Sequence, residues 1–286
     1  MSTLRDLISR PRPLSVPLVF NPITAKLAEA AGFKALYLGG GSMGYVKCVT
    51  EANLNLTEMC QAGLDIRAVC SLPLILDGAC GWGDPMHMHR TIGMTEAAGF
   101  SAIEVEDQII PKRAHHHVGI EHIIPIELMV AKIREGLAAR RSRDFLIIAR
   151  TNAARMHGLD EALRRAEAFK QAGADMLLVL AKTPDQVATI GERVGGPMVL
   201  LASADARAAT GLSPADLHGL GYKLFVDGST PLMAAHKALR ECYAALAEGR
   251  PDPLLGPGGN KIEQEKVHQT IGLEQMLEIE RRTVER

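Results

Sequence analysis

Apolar residues gather along the chain in short runs at a regular interval, each bounded by glycine or polar residues. Four runs follow one phrase: Ala31-Gly32-Phe33 precedes residues 35–38, Ala98-Gly99-Phe100 precedes 102–105, Ala172-Gly173-Ala174 precedes 176–179, and Leu220-Gly221-Tyr222 precedes 224–226. Gly just past a helix takes the left-handed capping conformation without a Cβ penalty, and the apolar run after it reads as a buried parallel strand. Further runs at 18–20, 74–76, 146–149 and 198–201 bring the expected strands to eight. The segments between them show helical spacing: Ile126, Met129, Val130, Ile133 and Leu137 share one face, as do Ala162, Ala166, Phe169 and Ala172. Eight strands alternating with helices predict an α/β protein, a (β/α)8 TIM barrel, with an open doubly wound sheet as the alternative.

The barrel is expected to fill residues 1–248, its last helix spanning about 231–248. Gly249-Arg250-Pro251-Asp252-Pro253 and Gly256-Pro257-Gly258-Gly259 then read as a linker, so 249–286 forms a linker and a C-terminal helix from 262 onward. That helix has too little apolar surface to close a core of its own, and is expected to be swapped onto a neighbouring subunit. A chain of 286 residues suits one barrel of about 250. Lys+Arg 32 against Asp+Glu 33, with no basic stripe, excludes nucleic acid as the main partner. No window approaches the roughly 18 apolar residues of a membrane span, and residues 1–12 lack the apolar stretch of a signal peptide. Five cysteines without a CxxC pair suit free thiols, so a cytoplasmic location is expected.

A parallel barrel builds its active site where the strands end. Those positions offer Asn21, Gly39-Gly40-Gly41-Ser42, Asp77, Glu106-Asp107, Arg150-Thr151-Asn152, Lys182, Ser203 with Asp205, and Asp227-Gly228-Ser229. Asp77 and Glu106 end neighbouring strands and bring two carboxylates to one rim, enough for a hard divalent ion that keeps several waters; Glu51 can add a water-mediated contact. Helix capping, or pairing with Arg150, is the other use such acids have. The glycine run presents backbone N–H groups to an anion, and Arg150 offers a bidentate fork to a carboxylate or, alternatively, a buried structural ion pair. Residues 109–124, with Lys112-Arg113-Ala114-His115-His116-His117, form a long stretch suited to a mobile lid. Three adjacent His side chains do not face one point, so a proton-transfer role for one of them or Lys112 is favoured over a zinc site.

At these residues the sequence resembles the isocitrate lyase / phosphoenolpyruvate mutase superfamily, in particular its methylisocitrate lyase and dimethylmalate lyase branch. The resemblance rests on Leu38-Gly39-Gly40-Gly41, residues 71–77 with Gly81-Trp82-Gly83, Val105-Glu106-Asp107-Gln108 followed by Pro111-Lys112-Arg113, and residues 144–153 around Arg150-Thr151-Asn152. It implies a barrel with Mg2+ (or Mn2+) at the mouth, a lid after the fourth strand, a swapped C-terminal helix and a homotetramer. The implied substrate is a small 2-oxo or 2-hydroxy di- or tricarboxylate, cleaved at a C–C bond by a retro-aldol step through a pyruvate-like enolate. Asp77 would be the direct metal ligand, supported by Glu106 and Glu51. Gly40 and Gly41, with Ser42, Asn152 and Ser203 around them, would bind the substrate, and Arg150 would hold its 2-oxo end.

Four positions depart from the pattern. Ala114 stands where the lyases carry a lid Cys that protonates the enolate, Ala79 replaces a second metal-site acid, Leu180 replaces an acid after the sixth strand, and Gly39 replaces a Ser. Fewer carboxylates weaken metal binding and reshape the pocket. Three functions stay open: a lyase with His115 or His116 as proton donor, a decarboxylase or C–C hydrolase of an oxaloacetate-like acid, and a non-catalytic binder of small acids.

Overall fold

In a computed structural model that describes residues 2–285, the eight strands are β1 (Leu14–Pro17), β2 (Leu36–Leu38), β3 (Leu74–Asp77), β4 (Ala102–Glu106), β5 (Leu146–Thr151), β6 (Met176–Val179), β7 (Met198–Leu201) and β8 (Tyr222–Asp227). They lie parallel in the order β1-β8-β7-β6-β5-β4-β3-β2, and a bridge between Leu18 and Tyr37 brings β1 against β2. With helices around this nearly closed ring, the fold is a (β/α)8 TIM barrel.

Side chains alternate between two cores, as the strand period of two requires. Val16, Tyr37, Ile75, Ala102, Ile148, Leu178, Val199 and Val226 fill the inside of the ring, whereas Leu36, Leu76, Ile103, Ala149, Leu177 and Phe225 face the helices. Followed two residues at a time toward the carboxyl rim, the inward series run from Ile75 to Asp77, from Ala102 to Glu104 and Glu106, and from Ile148 to Arg150. The rule that packs the barrel therefore also aims its charged groups.

The first strand departs from the expected 18–20. Residues Leu14–Pro17 pair with residues 224–227 of β8, while Phe20 and Asn21 already donate their N–H groups to Thr24 Oγ1 at 3.1 and 3.2 Å. That cap of the following helix consumes the end of the apolar run. A short helix at Leu4–Ile8, closed by a Thr3–Asp6 capping box, was not expected from its polar sequence. Its Leu4 is 1% exposed and seals the floor of the ring.

The lid is more regular than its composition implies. A bridge between Gln108 and Ile123 closes its stem, and Ala114–Val118 forms a 3-10 turn at its tip. Helix Thr230–Ala247 buries only Ala245. Beyond it the tail forms two helices where one from residue 262 was expected: Gly259–Ile271 and Leu273–Thr283, separated at Gly272, whose φ of 71° ends the first.

Candidate active site

Two cavities compete for attention, and the larger is not the one with the chemistry. A groove of about 810 Å3 runs outside the ring past Phe20, Trp82, His87 and Arg90. A cavity of about 420 Å3 opens at the carboxyl rim and is lined by Gly41, Ser42, Glu51, Asp77, His116, Arg150 and Ser203, all expected at the site.

Asp77, at the end of β3, accepts from Ala79 N–H through Oδ1 and from Gly40 N–H through Oδ2, each at 3.0 Å. Each oxygen keeps a lone pair. Gly40 was expected to bind substrate, but its N–H is committed to Asp77; Gly41 lines the cavity in its place. A Cβ on Gly40 would lie 3.1 Å from Glu51 Oε2 and 3.3 Å from Asp77 Oδ2, so glycine lets these two acids close on the turn. Ser42 turns its hydroxyl to Gly228 O at 2.7 Å, and Ser203 caps the helix Ala204–Ala208 from the cavity edge.

Arg150 is held from three sides. Its Nη1 donates to Glu104 Oε1 at 2.7 Å, its Nε donates to Asn152 Oδ1 at 2.9 Å, and Glu106 Oε2 lies 3.4 Å away. Asn152 Nδ2 donates to Glu106 at 2.9 Å, so Asn152 orients Arg150 and Glu106 together. Beneath them the Tyr37 hydroxyl donates to Glu104 Oε2 at 3.2 Å. Glu104 lies at a barrel level usually filled by apolar side chains. Burial pushes its carboxyl up to about 7 despite Arg150, and pushes Glu106 up to about 8.

The lid closes on this cluster. Lys112 Nζ inserts between Glu51 and Glu106, and burial, reinforced by Arg150, pushes its ammonium down to about 6. His116 turns Nδ1 to Arg113 O at 2.7 Å, which places the proton on Nδ1, and aims Nε2 at Glu51 Oε1 at 3.4 Å. Nε2 has no hydrogen-bond partner among the described residues, and burial pushes His116 down to about 4. A neutral imidazole thus lines the cavity with its Nε2 turned toward the Glu51 carboxyl. His115 is not brought there. It is exposed and pairs with His122 Nε2 at 3.1 Å, because the turn points adjacent residues of the triplet in different directions.

Sequence reasoning missed Tyr37, Glu104, Glu121 and Arg155. The first two were legible as inward positions of β2 and β4; the others sit on loops without periodicity. Arg155 lines the cavity and donates to buried Glu121 on the returning limb of the lid at 2.8 Å, and Gln108 contacts Glu121 as well.

The donor set fits a hard divalent ion. Glu51, Asp77, Glu104 and Glu106 share the cluster with Lys112 and Arg150, and a divalent cation beside them would favour the ionised form of carboxyls that burial otherwise keeps protonated. No three metal-binding side chains converge on one point among the described residues. Such a cation needs only one or two carboxylates with its own waters, and Asp77 with its free lone pairs suits it.

A parallel ring with an anion fork and a carboxylate cluster at its carboxyl rim is the construction of a barrel enzyme for small acids. Comparison with known proteins narrows this. The sequence profile described as Phosphoenolpyruvate phosphomutase matches residues 4–247, and the chain belongs to that family. It is 31% identical to the 2,3-dimethylmalate lyase of Eubacterium barkeri over 280 residues, covering 97% of this chain and 96% of the relative. It is 36% identical to the 2-methylisocitrate lyase of Aeropyrum pernix over 248 residues, covering 86% and 79%. The crystal structure of a phosphonopyruvate hydrolase complex with oxalate and Mg2+ superposes with a TM-score of 0.85 at 30% identity, covering 98% of both chains.

Proposed function

We propose that this protein is a Mg2+- or Mn2+-assisted carbon–carbon lyase that cleaves a small 2-hydroxy acid by a retro-aldol step. The observation carrying this reading is Arg150, fixed by Glu104, Glu106 and Asn152 over the same cavity as Asp77 and Gly41. A guanidinium so immobilised binds a carboxylate with its adjacent oxygen at little reorganisation cost. Asp77 would hold the cation, with Glu51 and Glu106 supporting it, and a divalent ion bound there would supply positive charge to stabilise the negative charge that develops at the reacting end.

The proton movements belong to the lid. His116 Nε2 accepts the substrate hydroxyl proton, the C–C bond breaks, its electrons pass into an enolate, and the Lys112 ammonium protonates the enolate carbon. With its pKa pushed down to about 6, the ammonium is a stronger acid than an ordinary lysine and is the minor form at neutral pH, so this step favours mildly acidic conditions. Glu51 Oε1 touches both lid groups and lies on the path that returns the proton from His116 to Lys112. The Ala114 methyl cannot supply a proton, which favours as a second reading the decarboxylation of an oxaloacetate-like acid; it would show CO2 without a second organic product.

Helix Thr230–Ala247 and the tail beyond it leave Met233, Leu239, Tyr243, Leu246, Ile262 and Ile271 exposed. That surface supports a homotetramer in which the C-terminal segment packs on a neighbouring subunit. No helix among the described residues is long and apolar enough to cross a membrane, and a cytoplasmic enzyme is consistent with this reading. The test is coupled detection of pyruvate from 2-methylmalate, 2,3-dimethylmalate and 2-methylisocitrate with Mg2+. Turnover that vanishes with EDTA and in Arg150→Ala is expected; pyruvate release indifferent to both would overturn the proposal.

A further inference from the structure

One guanidinium in the cavity takes no part in this mechanism. Arg155 ends the turn Ala153–Arg155 that follows β5, and its side chain is 36% exposed at the cavity wall. Its Nη1 reaches Glu121 Oε1 at 2.8 Å, and among the described residues the guanidinium has no other partner. The contrast with Arg150 is informative. Arg150 is 12% exposed and held by three side chains, whereas Arg155 is half-satisfied and keeps donors for a ligand. The wall of the cavity that holds both arginines also includes Leu180 and Leu201, which offer a ligand no polar partner.

We infer that Arg155 is a specificity-determining residue that binds a second carboxylate of the substrate, remote from the bond that breaks. The substrate is thereby a dicarboxylate, with Leu180 and Leu201 as apolar wall for its carbon chain. Glu121, which holds Arg155, belongs to the lid, whose stem pairs Gln108 with Ile123. A ligand that engages Arg155 therefore also stiffens the closed lid, and one that stops short of it leaves that contact unused. The inference rests on the proposed binding of the reacting end at Asp77 and Arg150.

Calorimetric titration of the full chain with Mg2+ present separates the two claims, using oxalate, which fills only the inner end, and malate, which reaches further. The wild type is expected to bind both. Arg155→Met is expected to weaken malate tenfold or more and to leave oxalate within twofold, while Arg155→Lys recovers part of the malate affinity because it restores the charge without the fork. Unchanged malate binding in Arg155→Met overturns the inference. So does equal weakening of both ligands, which would assign Arg155 a purely structural role, and so does a wild type that binds oxalate but not malate. A wild type that fails to bind oxalate contradicts the reading of the inner end and removes this inference with it.

Discussion

The two halves of the barrel wall obey one packing rule and do different work. Inward positions of β2 to β5 change from apolar at the floor to Tyr37, Asp77, Glu104, Glu106 and Arg150 toward the rim. Inward positions of β6 to β8 and β1 stay apolar, through Leu178, Val199, Val226 and Val16, up to Leu180 and Leu201 at the mouth. Buried charge is costly unless it is paired and hydrogen-bonded, and here it is concentrated in one arc where each member supports another. In the proposed reaction the charged arc would fix the reacting end of a substrate, and the apolar arc would shape the space left for the remainder.

The strongest way to break this division is to exchange effects across it. Arg150→Ala should lower kcat/KM by ~1000-fold or more, and should destabilise the fold by about 1–3 kcal/mol because buried Glu104 and Asn152 each lose a hydrogen-bond partner. Coupled pyruvate release and denaturant melts read the two effects separately. Leu178→Ala, in the opposite arc, should cost about 2–5 kcal/mol of stability through its cavity while the folded protein keeps turnover within a few-fold. A Leu178→Ala enzyme that stays folded but inactive would show that the arcs are not separable.

Glu104→Gln sharpens the comparison within the charged arc. It keeps the shape and removes the charge that orients Arg150, so kcat/KM should fall about tenfold. Stability should respond as well. The Glu104 carboxyl is held at about 7 against an ordinary 4.5, so between those values the folded state keeps a proton that the unfolded chain has released. Its contribution is present below pH 4.5 and lost as pH rises through about 7. Denaturant midpoints of wild type minus Glu104→Gln, in metal-free buffer, should therefore decline across that window, and a difference independent of pH contradicts it.

Smaller still is the expected effect of Leu180→Ala, which enlarges the apolar wall and should shift KM between substrates by about 10-fold, with little change in kcat. Least of all, burial raises the thiols of Cys60, Cys70 and Cys80, so at pH 8 a small alkylating reagent should label exposed Cys48 well before these three.

Much of the fold was legible because helix-ending glycines and apolar runs are local signals, and Asp77, Glu106 and Arg150 follow such runs directly. What escaped has physical causes. The 18–20 run is apolar because it is buried, but its last N–H group serves a helix cap, so hydropathy alone put β1 a few residues late. Glu104 sits inside its run, where a single acid looks like an interruption until the period of two is followed inward from Ala102. His115 and His116 are indistinguishable in sequence; only the turn Ala114–Val118 sends one outward and the other to Glu51. Arg155 and Glu121 meet across 34 residues through a lid whose path no local pattern encodes.

Crystals grown with Mg2+ and oxalate test the central claim most directly. The account predicts oxalate inside the ring, bridging Arg150 and a cation beside Asp77, with Gly41 N–H toward it and Lys112 nearby. Oxalate seated instead in the outer groove between Trp82 and Arg90, with the mouth of the barrel left to solvent, would contradict it.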